Sequence, residues 1–264
     1  MWALIILTLN IVKKNGIKVF NNPDYGVDEV SDTAVSMIMS LSRCIEFYNI
    51  KSRELVLYPN KAKPWQENTD KRAKRLKTMT LGLIGVGRIG SALAIKMKNI
   101  IGDIHFYDPE VVSGYEKVLG ATRHDSLDDL LGNSDIVTIH SPLSSSTREL
   151  IDDDFVESMK DGSILINTAR GGILKSHACL YQGLLSGKLS GVGLDVIPQE
   201  PPVLKDDDDF LSVWIKNDQD FRGRIIINPH TAYYSEDSYQ EMRIKAATSA
   251  LNALTDNQLA NRIV

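Results

Sequence analysis

From Thr80 onward the chain alternates short apolar runs with helical patterns, and few architectures accept that alternation. The runs are Thr80–Ile84, Ile104–Tyr107, Ile136–His140, Ser163–Asn167, Gly191–Val196 and Ile225–Asn228. Helical spacing fills most of the intervals, as at Ile89–Lys98, Asp152–Lys160 and Lys175–Ser186. Strands rich in Ile, Val and Leu, separated by helices, imply a parallel sheet covered on both faces. The expected fold class is α/β, a doubly wound parallel sheet. Such sheets bind ligands outside the carboxyl ends of their strands.

The chain before Thr80 reads differently. Ile17–Phe20 has the look of a short strand, and Asn21–Gly26 of a turn. Val30, Ala34, Ile38, Leu41, Ile45 and Tyr48 follow helical spacing, so one long helix is expected over Val27–Tyr48. Its other faces are also apolar, which suits a helix buried on more than one side. Lys51–Lys77 is polar and reads as a loop followed by surface; the basic run from Lys71 to Lys77 reads as a solvated face. The first twelve residues, MWALIILTLNIV, are apolar but too short to span a membrane, and they lack a basic region and cleavage site. A core-facing segment is the expectation. Asp206–Asp209 reads as a solvated loop.

A net charge of −4 argues against nucleic acid, which selects basic surfaces. Cys44 and Cys179 stand too far apart for a zinc motif or a disulfide framework, so no metal is expected and a reducing, cytoplasmic setting fits.

The run Leu81–Ile84 enters Gly85-Val86-Gly87-Arg88-Ile89-Gly90, a G-x-G-x-x-G, and helical spacing follows. Gly85 suits a tight turn, Gly87 the approach of a pyrophosphate, and Gly90 close packing of helix on strand. The helix N-terminus offers free N–H groups and the positive end of its dipole. The next run ends in Asp108, 21 residues beyond Gly87 (108 − 87), near the separation expected of a carboxylate that binds the adenosine ribose. An acid there favours NAD over NADP. A plain strand-end turn at Asp108-Pro109 is the bland reading.

Later strand ends carry polar groups. Arg170 lies among small residues after Ser163–Asn167, and its planar fork could grip a carboxylate. Asp195 ends the next run, with Glu200 five positions on (200 − 195). Of five histidines, His105, His124 and His177 suit structural or solvent roles, and His140 suits a place near the cofactor without chemistry. His230 ends the last apolar run, where it could exchange the proton of a hydroxyl.

With these motifs in order, the chain resembles the NAD-dependent D-2-hydroxyacid dehydrogenases, and within them the branch that includes the C-terminal-binding proteins. The resemblance runs from roughly residue 10 to the end. It is carried by NNPDYGVDEVSD (21–32), LGLIGVGRIG (81–90), FYDP (106–109), HSPLSSST (140–147), NTARGG (167–172), GLDVIPQEP (193–201) and NPHTAYYSE (228–236). It implies a Rossmann NAD-binding domain at 26–235. It implies a catalytic trio in which Arg170 holds the substrate carboxylate and oxo group, His230 is the acid/base, and Glu200 tunes it. Implied NAD contacts are Gly85, Gly87, Arg88, Ile89 and Asp108, with Ser141, Thr147, Thr168, Ala169 and Asp195, besides Arg170 and His230, on the nicotinamide side. Tyr233, three residues past His230, could line the substrate pocket and favour a bulkier 2-oxoacid; plain packing at a helix start fits equally. The family's habit of pairing through the nucleotide domain implies a homodimer, with no nucleic-acid or membrane partner.

Family members usually begin with a further segment. Residues 1–25 and 236–264 are therefore expected to be the remnant of a flavodoxin-like substrate domain, truncated at its N-terminal side. Three functions compete: an active 2-hydroxyacid dehydrogenase, an NAD-bound scaffold or sensor without turnover, and a remnant that binds NAD weakly.

Overall fold

The computed structural model describes residues 11–58, 64–205, 208–255 and 263. The chain divides into two compact units, residues 30–232 and residues 1–29 with 233–264.

The larger unit is built on seven parallel strands: β1 (Thr80–Ile84), β2 (Asp103–Tyr107), β3 (Thr122–Arg123), β4 (Ile136–Ile139), β5 (Ser163–Asn167), β6 (Leu189–Leu194) and β7 (Ile225–Ile227). Their order is β3-β2-β1-β4-β5-β6-β7. The chain thus winds outward from β1 in one direction and from β4 in the other. The switch between them opens a crevice at the carboxyl ends. All six expected strands are present. The two-residue β3 was too short to announce itself in the sequence.

The register aligns the strand ends in one row: Tyr107, Ile84, Ile139, Asn167, Leu194 and Ile227 are successive partners. Helices α1 (Val27–Ser42) and α3 (Arg88–Met97) cover one face. The other carries α5 (Leu127–Asn133), α6 (Asp153–Ser158), α7 (His177–Ser186) and α8 (Asp209–Ile215). Side chains alternate accordingly: Ile164 and Ile166 join the first core, Leu165 the second. Each fully buried Leu or Ile contributes about 1.5–3 kcal/mol. Close seating of α1 depends on two glycines in β6. A Cβ on Gly191 would stand 3.0 Å from Leu41 Cδ2, and one on Gly193 3.1 Å from Met37 Sδ. Helix α4 (Tyr115–Leu119) fills the interval between β2 and β3.

The helix expected over Val27–Tyr48 is broken. It ends at Ser42, and Cys44 takes a left-handed conformation (φ 54°, ψ 36°) before α2 (Ile45–Leu57) begins. The Ser42 carbonyl accepts Lys74 N–H at 2.9 Å. Gly223 presses against Phe47, for a Cβ there would lie 2.5 Å from Phe47 N. The helix also continues to Leu57, where a loop was expected. Ile17–Phe20 is not a strand; Phe20 makes a single bridge position. The apolar segment expected at the start falls outside the described residues except Ile11 and Val12. Of the acidic run, Asp208 caps α8 and Asp209 opens it, while Asp206 and Asp207 fall outside the described residues.

In the smaller unit, α9 (Glu236–Leu254) opens with a capping box between Ser235 and Ser238. Lys18 Nζ reaches the Ala253 carbonyl at 2.9 Å, and Asn22 Nδ2 the Met242 carbonyl at 3.1 Å. The Tyr233 ring meets Tyr25 edge-on, with centroids 6.3 Å apart. No helix among the described residues is long and apolar enough to cross a membrane.

Candidate active site

The residues one step beyond the aligned row are Asp108, Gly85, His140, Thr168, Asp195 and Asn228. The sheet therefore brings groups far apart in sequence to one rim.

At the switch point, Gly85 has φ +89°, and a Cβ there would stand 2.9 Å from Ser141 N. A Cβ on Gly90 would lie 2.2 Å from the Gly85 carbonyl, so helix and loop meet only because Gly90 lacks a side chain. Gly87 faces open space, with nothing within 4 Å of where its Cβ would stand. It caps α3 without a side chain, and the first turn holds no acid. Arg88 is exposed and Ile89 partly so. This open cradle of backbone N–H groups at a helix N-terminus fits a pyrophosphate.

Asp108 closes the cradle. Its carboxylate accepts Val86 N–H and Glu110 N–H, each at 2.9 Å. Each oxygen keeps a second lone pair for a ribose hydroxyl. Nearby, three buried polar atoms find no partner among the described residues: His140 Nδ1, Ser141 Oγ and Thr168 Oγ1. Such orphans are costly unless a ligand or water meets them. Together the cradle, the carboxylate and the orphans fit a bound dinucleotide. Burial pushes the His140 imidazole down to about 3, so it stays neutral, with Nε2 2.9 Å from Thr138 Oγ1. The Thr147 hydroxyl is taken up locally: it donates to the Pro142 carbonyl at 2.6 Å and accepts Ser144 N–H at 2.8 Å.

Arg170, Glu200 and His230 follow the carboxyl ends of β5, β6 and β7, and the last two are in contact. Asn167, fully buried at the end of β5, accepts Ala169 N–H at 3.0 Å and donates to the Arg170 carbonyl at 3.2 Å. It shapes the turn that exposes Arg170. The sequence reading gave Asn167 no role, although an amide ending the apolar run Ile164–Ile166 was the available signal. Gly171 allows that turn to lie under the next loop, since a Cβ would fall 1.8 Å from the Ile197 carbonyl. Arg170 Nη1 donates to the Ala169 carbonyl at 2.6 Å.

His230 holds φ +56°, unusual for a side chain with a Cβ. Asp195 secures it. The Asp195 carbonyl accepts His230 N–H at 2.9 Å, and its Oδ1 accepts Thr231 N–H and Ala232 N–H, both at 3.0 Å. Burial pushes the Asp195 carboxyl above the usual carboxylate range, against the pull of those N–H groups. Sequence reasoning placed Asp195 beside the nicotinamide; its clearest work in the structure is on the His230 turn.

Glu200 Oε1 accepts Ile197 N–H at 3.1 Å, and Oε2 lies 2.7 Å from His230 Nδ1. A carboxylate only accepts, so Nδ1 carries the hydrogen and Nε2 is left for proton exchange. Beside the pair lies an open cavity of about 490 Å³, walled by Ile197, Pro201, Leu211, Trp214 and Ile227. Among the described residues no group of three His, Cys, Asp or Glu gathers to hold a metal.

Fold and site together define an α/β dehydrogenase domain with a dinucleotide cradle and a histidine–carboxylate pair. Residues 35–232 match the model of the D-isomer specific 2-hydroxyacid dehydrogenase NAD binding domain. The chain belongs to that family. It is similar to a D-lactate dehydrogenase of Treponema pallidum (strain Nichols), 28% identical over 96% of this chain and 73% of that protein. It is also similar to a glyoxylate reductase of Thermofilum pendens (strain DSM 2475 / Hrk 5), 32% identical over 91% of this chain and 66% of the relative. Among solved structures, the Aquifex aeolicus D-lactate dehydrogenase complexed with NAD and lactic acid superposes with a TM-score of 0.77 at 30% identity, covering 97% of this chain and 76% of that one.

Proposed function

We propose that this chain catalyses NAD-dependent interconversion of a D-2-hydroxyacid and its 2-oxoacid. The observation that carries the reading is the 2.7 Å contact of His230 Nδ1 with Glu200, on the rim that also holds the glycine cradle and Arg170. Gly85, Gly87, Arg88, Ile89 and Asp108 would hold the pyrophosphate and ribose, and Ser141, Thr168, Ala169 and Asp195 the nicotinamide side. Bound NADH supplies a hydride to the 2-oxo carbon, and NAD accepts it in the reverse direction. Arg170 pairs with the substrate carboxylate through its planar fork. His230 gives a proton from Nε2 to the oxo oxygen during reduction and takes it back during oxidation. Glu200 fixes the ring's tautomer and orientation.

Residues 26–235 act as the NAD-binding domain, and the rest as part of a substrate domain. Tyr233 is assigned to the substrate side on chain proximity alone, three residues from His230 (233 − 230). A homodimer through the nucleotide domain is supported by apolar side chains exposed on α2, among them Ile45, Val56 and Leu57. Two free cysteines suit the cytoplasm.

The test is NADH oxidation against pyruvate, glyoxylate, hydroxypyruvate and phenylpyruvate, with NADH binding followed in the same samples. Turnover on one of them is the expected result. Tight NADH binding with no turnover on any would point to a non-catalytic, NAD-bound role.

Asp108 also predicts cofactor choice. A 2′-phosphate beside its carboxylate meets repulsion of roughly 1–4 kcal/mol at ~4 Å. NADH is therefore expected to bind about fivefold or more tighter than NADPH, and Asp108→Ala to narrow the gap. Fluorescence titration measures both; equal affinities in the unmodified chain would remove Asp108 from this role.

A further inference from the structure

The loop that presents Glu200 is anchored at two ends. Upstream, the Ile197 carbonyl lies over Gly171, and Ile197 N–H reaches Glu200 Oε1. Downstream, Asp208 N–H donates to the Lys205 carbonyl at 3.1 Å. Asp208 is itself fixed twice: Oδ1 accepts Leu211 N–H at 3.0 Å, and Oδ2 lies 2.8 Å from His177 Nδ1. His177 opens α7, whose Leu180 and Leu184 are rooted in the core. Its ring stacks on Phe210, with centroids 5.3 Å apart. The His177 and Asp208 side chains are only 15% and 16% exposed, so solvent screens the pair little.

A shallow cavity borders the loop between its anchors. Pro198, Gln199, Pro202 and Val203, which flank Glu200 in the chain, line a cavity of about 150 Å³ together with His177 and Asp208. Leu211 borders both this cavity and the larger one beside His230. Residues 198–205 are all exposed, so side-chain packing does little to fix Glu200, and the loop's two anchors carry that task. Glu200 and His230 are 36% and 44% exposed, and an ion pair that open does not hold its own geometry strongly.

We propose that His177 and Asp208 are positioning residues that keep the Glu200 carboxylate on His230. This rests on the reading of Glu200 and His230 as the working pair. Neither positioning residue touches substrate or cofactor; they act through the loop.

Ring-nitrogen NMR of the full chain tests this without turnover. His230 signals are assigned by their loss in His230→Ala. In the unmodified chain the neutral His230 ring is expected as its Nδ1–H tautomer, held there by Glu200. Glu200→Ala should return it to the Nε2–H form that free imidazole favours in water. His177→Ala should move the spectrum most of the way to that of Glu200→Ala. His177→Asn, whose amide N–H can stand where Nδ1–H stood, should restore it. Asp208→Ser keeps a side-chain cap on α8 but is too short to reach His177, and should behave like His177→Ala; it carries the test if His177→Ala does not fold. If Glu200→Ala shifts the tautomer while His177→Ala and Asp208→Ser do not, the positioning proposal is wrong and the Glu200–His230 reading stands. The proposal is equally wrong if His177→Asn behaves like His177→Ala. If Glu200→Ala itself changes nothing, the working pair and the proposal fall together.

Discussion

Replacing His230 with alanine is expected to slow turnover by on the order of 10²–10⁴-fold, the range for loss of a general acid–base, while NADH binding stays close to that of the unmodified chain. The two outcomes separate because the two sets of groups are separate. The cradle of Gly85, Gly87 and Gly90 and the carboxylate of Asp108 belong to β1, α3 and β2. His230 follows β7, at the far edge of the sheet. Its ring is partly exposed and fills no core position, so alanine leaves no large cavity. Steady-state kinetics beside fluorescence titration measures both effects. Retention of full activity would remove His230 from proton transfer.

Asp195→Ala should damage both fold and chemistry. One buried oxygen, Oδ1, accepts Thr231 N–H and Ala232 N–H. Deleting it strands two donors where the residue is 2% exposed. Each stranded group costs about 1–3 kcal/mol. The total, roughly 2–6 kcal/mol, lowers Tm by about 4–24 °C in a domain of this size. The same N–H groups hold the turn in which His230 keeps φ +56°, a conformation that costs about 1–3 kcal/mol by itself. Without them the turn relaxes, His230 leaves its alignment with Glu200, and turnover falls with stability. Asp195→Asn is the informative contrast, because its amide oxygen can still accept both N–H groups. It should melt close to the unmodified chain. Calorimetry on the pair decides the matter: if both variants melt alike, Oδ1 does not hold the turn.

The fold was legible where burial forces apolar runs. β1, β4 and β5 are buried along nearly their whole length and declare themselves as short runs rich in Ile, Leu and Val. β3 pairs through two residues and leaves no periodic trace. The break at Cys44 was hidden because neither Gly nor Pro marks it. Its causes, the Lys74 bond and the pressure of Gly223, come from 30 and more residues away. The extension of α2 to Leu57 was hidden for the opposite reason: none of its residues is buried, so no stripe appears.

The candidate site was legible as motifs but not as a network. The glycines and Asp108 followed from spacing, while the trio and the nicotinamide-side residues came with the family resemblance. The branch of the family rested on one short stretch, Thr231–Glu236, which the relatives found do not single out. Contacts such as Asp195 with the His230 turn, or His177 with Asp208, join residues 31 to 37 positions apart. No local pattern encodes such pairs.

The alignment of the strand ends in one row decides where this chain can change length. Residues added to connections at the amino ends of the strands leave the row untouched, and loops accept them at modest entropic cost. One residue added inside β5 or β6 would turn every following side chain to the other face and carry Thr168 or Asp195 away from the rim. The amino ends of the strands are thus free to vary as the protein diversifies, and the carboxyl ends are held to a fixed count.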